Sequence, residues 1–400
     1  MSKRDGPCML VKLEDVILSL NTGLNPRMFF KLNTEDATNY YVTIREIRGG
    51  KLIFTERTDR INDEALKLCN NRSNLEVGDV LFSGTGTIGE TLVVEDEPKN
   101  WNIKEGVYTI KPNPSKLNPY YLKYLLTSDT IRAKIMRKVA GGTVKSIPMA
   151  ELRKIEIPLP PLDVQRRIAD TLDKVTELID LRKKQLEKLD ELVKARFVEL
   201  FGTLDYPVQE FKKATLKELC TKITDGKHGG CTQEEGTERY FVGAREIYDN
   251  AVHYDTAPEI NLAEFEKDYK RCNVEIGDFL IVNTGATIGK SAIAIDPRTE
   301  YTLLQKSVAL LKAKRELLNP VFLQYCYKVN EKMYKVESAS AQPNLLLSKI
   351  NSTKIYVPPI ELQNQFAAFV EQTDKSKVII QQSLDTLETL KKSLMQEYFG

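Results

Sequence analysis

The chain has 400 residues, of which 42% are hydrophobic and 28% charged, with a formal net charge of +2. This length predicts two or three domains, and this composition excludes a disordered or collagen-like chain. No run of 18 apolar residues occurs, which excludes a transmembrane helix, and the charged N-terminus lacks the pattern of a secretion signal. Six scattered cysteines and only two histidines indicate reduced thiols and exclude a histidine-rich zinc site.

The first predicted elements are short β-rich runs. The segment NLEVGDVLFSGTGTIGE, residues 74–90, contains an apolar strand between a Gly-Asp turn and a glycine-rich turn. LNPYYLKYLL follows from Leu117, and then a cationic group surrounds Gly141-Gly142: Arg132, Lys134, Arg137, Lys138 and Lys145. Such a loop suits phosphate contacts, with an ordinary solvated helix face as the alternative.

A proline pair then introduces a long polar helix. LPPLDVQRRI begins at Leu159, and proline sits readily before or at a helix start. The helix carries an apolar seam at heptad spacing, interrupted by Arg182 and Arg196: Ile168, Leu172, Val175, Ile179, Leu186, Leu189, Val193 and Leu200. A stripe with this period needs a partner helix to bury it.

The second half of the chain repeats these blocks in the same order. IREI at Ile44 recurs as AREI at Ala244, and the glycine turn recurs in NVEIGDFLIVNTGATIGK, residues 273–290. LNPVFLQYCY, VPPIELQNQF and a closing Phe-Gly complete the match. The second helix has its own seam, interrupted by Thr373, Lys377 and Lys391: Phe366, Val370, Ile380, Leu384, Leu387 and Leu394. This order indicates a tandem duplication.

We therefore predict a mixed α+β fold with pseudo-two-fold repetition. Two globular domains occupy residues 1–158 and 203–356, and two long helices occupy residues 159–202 and 357–400. The simplest partner for each seam is the other helix, which gives an antiparallel intramolecular coiled coil and a projecting spacer. The alternative is two separate amphipathic helices, each packed on its own domain.

The glycine turns resemble a phosphate-binding P-loop only in part. In NTGATIGKS the glycines Gly285 and Gly289 are too closely spaced, and in the first copy Glu90 stands where the P-loop lysine belongs. A tight turn between two strands is the favoured interpretation. The chain also lacks HExxH and GxSxG, so we assign no catalytic residue.

The repeated order of glycine turn, Pro-Pro segment, heptad helix and Phe-Gly resembles the specificity (S) subunit of type I restriction–modification systems. LNTGLNPRMFF near Leu20 and TDGKHGG near Thr224 are similar to the openings of that family's two target-recognition domains, and Gln165 and Gln363 to its helix starts. The resemblance implies a non-catalytic, DNA-binding subunit. Each target-recognition domain would read one half of an asymmetric, interrupted site in double-stranded DNA, and the helices would set the spacing.

The resemblance also implies partners. Two methylation (M) subunits would dock on the helices and form an adenine-N6 methyltransferase dependent on S-adenosylmethionine. Restriction (R) subunits would join to add ATP-driven translocation and cleavage. The chain itself is expected to hold no cofactor, since S-adenosylmethionine, ATP and Mg²⁺ belong to the partner subunits. The expected location is the cytoplasm, away from membranes.

Candidate DNA contacts are polar residues in loops or turns at matched places of the two copies. They are Asn25, Arg27, Arg45, Thr143 and Lys145 in the first domain, and Lys227, His228, Arg245, Gln342 and Asn344 in the second. Amides such as Gln342 and Asn344 suit adenine edges. The charge balance is weak for a stand-alone DNA-binding protein. Two alternatives stay open: a fused methyltransferase or P-loop nucleotidase, and a coiled-coil tether whose globular ends bind proteins.

Overall fold

A computed structural model describes residues 9–335 and 343–400. The backbone contacts divide the chain into two compact units. Unit 1 contains the chain up to Arg182 together with Ser383–Gly400, and unit 2 contains Lys183–Gln382. Each unit therefore takes part of both long helices, and the four-segment division made from sequence stays a prediction. Within the described ranges, no helix is long and apolar enough to cross a membrane.

Unit 1 mixes short strands with helices. Its strands are β1 Met9–Lys12, β2 Ile17–Thr22, β3 Asn39–Val42, β4 Ile47–Arg48, β5 Lys51–Leu52, β6 Arg60–Ile61, β7 Val80–Ser83, β8 Thr91–Val93, β9 Trp101–Ile103, β10 Val107–Pro112 and β11 Glu156–Leu159. Its helices are α1 Asp63–Ser73, α2 Pro119–Thr127, α3 Asp129–Met136, α4 Met149–Arg153 and the first part of α5 Leu162–Phe201.

The main sheet of unit 1 is antiparallel, with strand order β2-β10-β7-β8. Successive side chains of β7 point to opposite faces, as in any strand. Val80 and Phe82 pack in a core with α2 and α3, and Leu81 packs in a second core with β3 and β9. Because both faces are covered, β7 is apolar without interruption from Val80 to Phe82.

Unit 2 repeats this layout. Its strands are β12 Lys212–Thr215, β13 Cys220–Asp225, β14 Tyr240–Val242, β15 Ile247–Tyr248, β16 Ala251–Val252, β17 Phe279–Val282, β18 Ser291–Ile293, β19 Thr302–Leu304, β20 Val308–Ala313 and β21 Lys354–Val357. Its helices are the last part of α5, α6 Leu216–Leu219, α7 Leu262–Asp268, α8 Pro320–Val329, α9 Leu347–Ser352 and the first part of α10 Ile360–Phe399. The sheet order β13-β20-β17-β18 matches that of unit 1 strand for strand.

In unit 1 the start of α5 and the end of α10 share one core. Ile168 and Leu172 of α5 are buried there, and the Phe399 ring lies 5.5 Å from that of Tyr121. Arg182 Nε donates a hydrogen bond of 3.2 Å to Ser383 Oγ. Since early α5 residues meet late α10 residues, the two helices run antiparallel.

In unit 2 the end of α5 meets the start of α10. The rings of Phe197 and Phe201 lie 5.4 and 5.7 Å from Phe366, and all three are fully buried. Burial of one such ring contributes about 2 kcal/mol to folding. The predicted antiparallel helix pair is confirmed, but the seam of α5 ends differently. Leu200 is half-buried and packs against this core, whereas Phe197 and Phe201 are fully buried in it.

A buried glutamine fixes the start of each long helix. Gln165 Oε1 accepts a hydrogen bond from Asn118 N, and its Nε2 donates to the carbonyls of Lys116 and Pro160. Gln363 repeats all three bonds at the start of α10. The Pro-Pro-x-x-x-Gln pattern therefore joins the long helix to the loop that precedes α2 or α8.

Candidate nucleic-acid interface

Each main sheet presents one glycine turn, which we call the TG turn: residues 84–89 between β7 and β8, and residues 283–289 between β17 and β18. Gly86 and Gly89 have φ of +80° and +100°, and Gly285 and Gly289 have φ of +101° and +93°. A side chain is disfavoured at such angles, so glycine is required. The turn joins two antiparallel strands, whereas a P-loop leads into a helix. The P-loop alternative is therefore excluded, and the prediction of a tight turn is confirmed.

A second segment pairs with each TG turn. In unit 1, Gly86 N donates to Lys145 O and Ile147 N donates to Gly84 O, both at 2.9 Å. The same two bonds recur in unit 2, from Gly285 N to Pro343 O at 3.1 Å and from Leu345 N to Asn283 O at 2.7 Å. This pairing places Lys145 beside one turn and Asn344 beside the other.

A third segment, the loop after β2 or β13, reaches the same end of the sheet. Gly226 N donates to Val308 O at 3.2 Å, as Gly23 N does to Val107 O at 3.3 Å. A Cβ on Gly226 would lie 2.1 Å from Leu304 O, so only glycine permits this close approach. The loop brings Asn25 to the TG turn in unit 1 and His228 to it in unit 2.

These backbone bonds match six positions of the two units one to one. In unit 1 they are Thr22, Asn25, Gly84, Thr85, Glu105 and Ser146; in unit 2 they are, in the same order, Asp225, His228, Asn283, Thr284, Lys306 and Asn344. Only the threonine of the turn is shared. We call this shared set of backbone hydrogen bonds the frame. The frame carries different side chains in the two units, including a reversal of charge from Glu105 to Lys306.

In unit 2 these six residues line a cavity of about 240 Å³, which we call the unit 2 cavity. It brings together two of the predicted contact residues, His228 and Asn344. Thr284 Oγ1 donates a hydrogen bond of 3.2 Å to the Asn344 side chain across the turn. Sequence reasoning missed Asp225, Asn283, Thr284 and Lys306 as members of this site.

One wall of the unit 2 cavity is acidic. Asp225 accepts hydrogen bonds from Arg271 at 2.5 Å and lies 3.2 Å from His228 Nε2. Partial burial raises the pKa of the Asp225 carboxyl, but the bonds from Arg271 and His228 outweigh it and hold the pKa below its usual range. The carboxylate is therefore ionised at neutral pH and acts as an acceptor.

The opposite charge comes from Lys306. Its side chain is exposed, and no carboxylate in the described part of the chain lies within 4 Å of its ammonium group. An unpaired cation at the mouth of a polar cavity is suited to a phosphate group.

The floor of the unit 2 cavity is Asn283. Asn283 is 4% exposed, and its Oδ1 is buried without a hydrogen-bond partner among the described residues. A buried polar atom left unpaired costs about 1–3 kcal/mol. The sequence contained a signal for this residue, because an asparagine stands where the first copy has Gly84.

In unit 1 an aromatic side chain covers the position that is matched with Asn283. The ring of Tyr108 lies against Gly84, where a Cβ would come 2.2 Å from Cε2, and its hydroxyl donates to Ile147 O at 2.7 Å. Unit 2 has Ala309 in place of Tyr108. Asn25 in unit 1 donates to Glu105 at 2.6 Å and accepts a bond from Arg27 N.

The remaining predicted contacts differ in their surroundings. Arg27 and Arg245 are exposed and have no ion pair in the described ranges, whereas Arg45 pairs with Asp59 at 2.9 Å. Thr143 and Lys145 are exposed in the loop beside the first TG turn. Gln342 lies outside the described residues.

Lys227 is held inside unit 2. Its ammonium lies 2.8 Å from Asp268 and 3.2 Å from Glu264, and the bond to Asp268 raises the pKa of the lysine above its usual range. The cationic group of unit 1 is divided in the same way. Lys138 pairs with Glu151 at 3.2 Å, whereas Arg132 and Arg137 are exposed without an ion pair in the described part of the chain.

The fold and the paired glycine turns define a class of protein: a tandem-repeat scaffold with two different polar sites, each built on the same repeated backbone arrangement. Comparison with known families makes this specific. Residues 7–191 and 209–389 each match the type I restriction modification DNA specificity domain. The chain belongs to this family, with two target-recognition domains in tandem. Specificity subunits recognise DNA without catalysis, so this chain is a non-catalytic DNA-recognition subunit of a type I restriction–modification system.

Individual relatives agree over most of the chain. The type I restriction enzyme MjaIX specificity subunit of Methanocaldococcus jannaschii is 23% identical, covering 89% of this chain and 84% of the relative. The EcoKI specificity subunit of Escherichia coli K12 is 22% identical, covering 70% and 64%. The crystal structure of the type I S subunit from M. genitalium has a TM-score of 0.60 at 17% identity and covers 100% of this chain and 98% of its own. That likeness shows the same fold.

Proposed function

We propose that unit 1 and unit 2 read the two different halves of an asymmetric, interrupted site in double-stranded DNA. One observation carries the proposal: five of the six matched positions around the TG turns differ between the units, although the backbone bonds at these positions are the same. Side chains that reach base edges specify sequence, whereas the frame and its cations position the duplex. Equal frames with unequal side chains give two unequal half-sites.

Phosphate contacts come from the cations that the protein leaves unpaired. Arg132 and Arg137 in unit 1, and Arg245 and Lys306 in unit 2, are exposed without an ion pair in the described ranges. Each phosphate neutralised by such a side chain releases counterions and adds to the salt dependence of binding. Because the total charge of this chain is close to neutral, partner subunits supply part of the positive surface that binds DNA.

The partners in this proposal are two methylation subunits that dock on α5 and α10, and restriction subunits that join through the complex. Family membership supports it, and α5 keeps large apolar side chains at its surface: Leu178, Leu181, Leu192 and Val198. S-adenosylmethionine, ATP and Mg²⁺ act on the partner subunits, and the complex works in the cytoplasm. The activities of the complex, adenine-N6 methylation and site-specific cleavage, belong to those partners.

The test is co-expression with the methylation subunit encoded beside this chain, followed by mapping of N6-methyladenine across the host DNA. We expect one interrupted, asymmetric motif. Two matched triple variants then assign the halves. Asn25→Ala/Thr85→Ala/Ser146→Ala should relax one half only, and His228→Ala/Thr284→Ala/Asn344→Ala should relax the other half only.

Two results would contradict the proposal. A palindromic motif would mean that the units do not read different sequences. Co-purification of the two proteins without any methylation motif would favour the tether whose globular ends bind proteins rather than DNA.

A further inference from the structure

Within the proposed DNA-reading function, on which this inference rests, we propose that Asn283 is the specificity-determining residue of unit 2 and that its side-chain amide reads an adenine at one position of the half-site. The partner of the unit 2 cavity is thus the major-groove edge of one base, with the adjoining phosphate on Lys306.

The first argument is the state of the amide. Asn283 lines the cavity and is 4% exposed, yet its Oδ1 is buried without a hydrogen-bond partner among the described residues. Buried polar groups in proteins are almost always paired, so an exception indicates a partner that arrives from outside. The terminal torsion of asparagine is broad, and turning this amide toward the cavity breaks no hydrogen bond.

The second argument is the comparison between the repeats. The position of Asn283 is occupied in unit 1 by Gly84, and Tyr108 fills the space above it. In unit 2 the residue matched with Tyr108 is Ala309, which leaves the space of that ring to the Asn283 side chain. An apolar side chain would fill that space as well, whereas unit 2 has an amide whose Oδ1 is without a hydrogen-bond partner among the described residues.

The third argument is chemical. An asparagine amide donates to N7 and accepts from N6 of adenine, a pair that no other base edge in the major groove offers. Asp225 adds a second acceptor on the same cavity wall, already oriented by Arg271. Both acceptors favour a base that carries an exocyclic amino group.

The experiment uses the full chain co-expressed with its methylation subunit, with base preference at each motif position as the readout. Asn283→Ala should lower the preference for adenine at one position of the unit 2 half-site by about tenfold, since a bidentate pair contributes most of the discrimination there. The unit 1 half-site in the same molecules shows that the chain is folded. Thr85→Ala in the matched turn of unit 1 should leave the unit 2 half-site unchanged.

A second variant separates adenine from cytosine. Asn283→Asp keeps an acceptor and loses the donor to N7, so the preference at that position should change from adenine toward cytosine. An unchanged adenine preference in both variants, beside an intact unit 1 half-site, would overturn the role of Asn283. Equal relaxation of both half-sites would also overturn it. If the wild-type chain gives no motif at all, the proposed function itself fails.

Discussion

The two TG turns share their backbone hydrogen bonds to the facing segments, although the second turn is one residue longer, and they differ in the side chains around them. In unit 1 the ring of Tyr108, on β10, lies against Gly84, and its hydroxyl donates a hydrogen bond to Ile147 O in the facing loop. In unit 2 the matched residue is Ala309, and Asn283 lines a polar cavity. The comparison teaches that the hydrogen bonds of the frame do not depend on these side chains. The repeats could therefore diverge in specificity while keeping one fold.

The largest expected effect comes from placing the unit 2 residue in unit 1. Gly84→Asn should lower the free energy of unfolding by about 3 kcal/mol, because its Cβ would collide with the Tyr108 ring. Adding Tyr108→Ala should restore about 2 kcal/mol relative to the sum of the single changes, since it recreates the unit 2 pair. Urea denaturation of the four proteins gives this coupling. Additive losses would show that the two positions are independent.

The glutamines should instead show that the frame behaves alike in both units. Gln165→Leu and Gln363→Leu each remove three bonds to backbone groups at the start of a long helix, and each should cost about 3 kcal/mol. Denaturant melts of the two variants measure this loss. Gln372→Leu, at an exposed position further along α10, serves as the control. A loss in one unit only would mean that the frames are not equivalent.

A pH experiment tests another difference between the two units. Unit 2 has Lys328 where unit 1 has Thr127; burial, with repulsion from Lys377, lowers the pKa of Lys328 to about 8 from 10.5. The unfolded chain then binds more protons between these values, so the free energy of unfolding should rise as pH increases from 8 to 10.5. Lys328→Met should add about 2 kcal/mol at pH 7 and abolish that rise.

Thermal melts of wild type and Lys328→Met across pH 7 to 10.5 check this expectation. Lys349→Met, at an exposed position of the same unit, should leave the pH dependence as it is. A wild-type stability that falls steadily through this range, with no difference from Lys328→Met, would contradict the low pKa.

The smallest effect concerns two lysines that lie far apart in sequence but close together in space, where Lys306 N donates a hydrogen bond to Lys227 O. Lys306→Ala should reduce the slope of log binding constant against log salt by about 0.9, because its ammonium is free to meet a phosphate. Lys227→Ala should leave that slope unchanged, since Glu264 and Asp268 already neutralise this lysine. Fluorescence titrations with duplex DNA at several salt concentrations measure both slopes. Equal slopes for the two variants would remove Lys306 from the interface.

Local patterns were enough to predict the repeat, the buried strands, the glycine turns and the paired helices. Each depends on a pattern along the chain: an uninterrupted apolar run in β7, heptads in α5, and glycine where φ is positive. The end of the α5 seam was missed because Phe197 and Phe201 are buried by the core of unit 2, which the heptad period does not describe.

The candidate site was predicted only in outline. Loop position led to Asn25, His228 and Asn344, which do lie at the TG turns. Lys227 is a polar loop residue of the same kind, yet its two carboxylate partners come from α7, about 40 residues away in the chain. Asp225, Asn283 and Lys306 come from three separate segments and meet only through sheet pairing.

The sequence by itself determined the duplication, the family and the alternation of globular part and helix, because these follow from periodicity and from order along the chain. Only the tertiary structure decided which polar side chains share a cavity and which cations are already neutralised. Those properties depend on distances between segments far apart in sequence. Sheet register sets these distances, and it matches Gly84 with Asn283 and Tyr108 with Ala309.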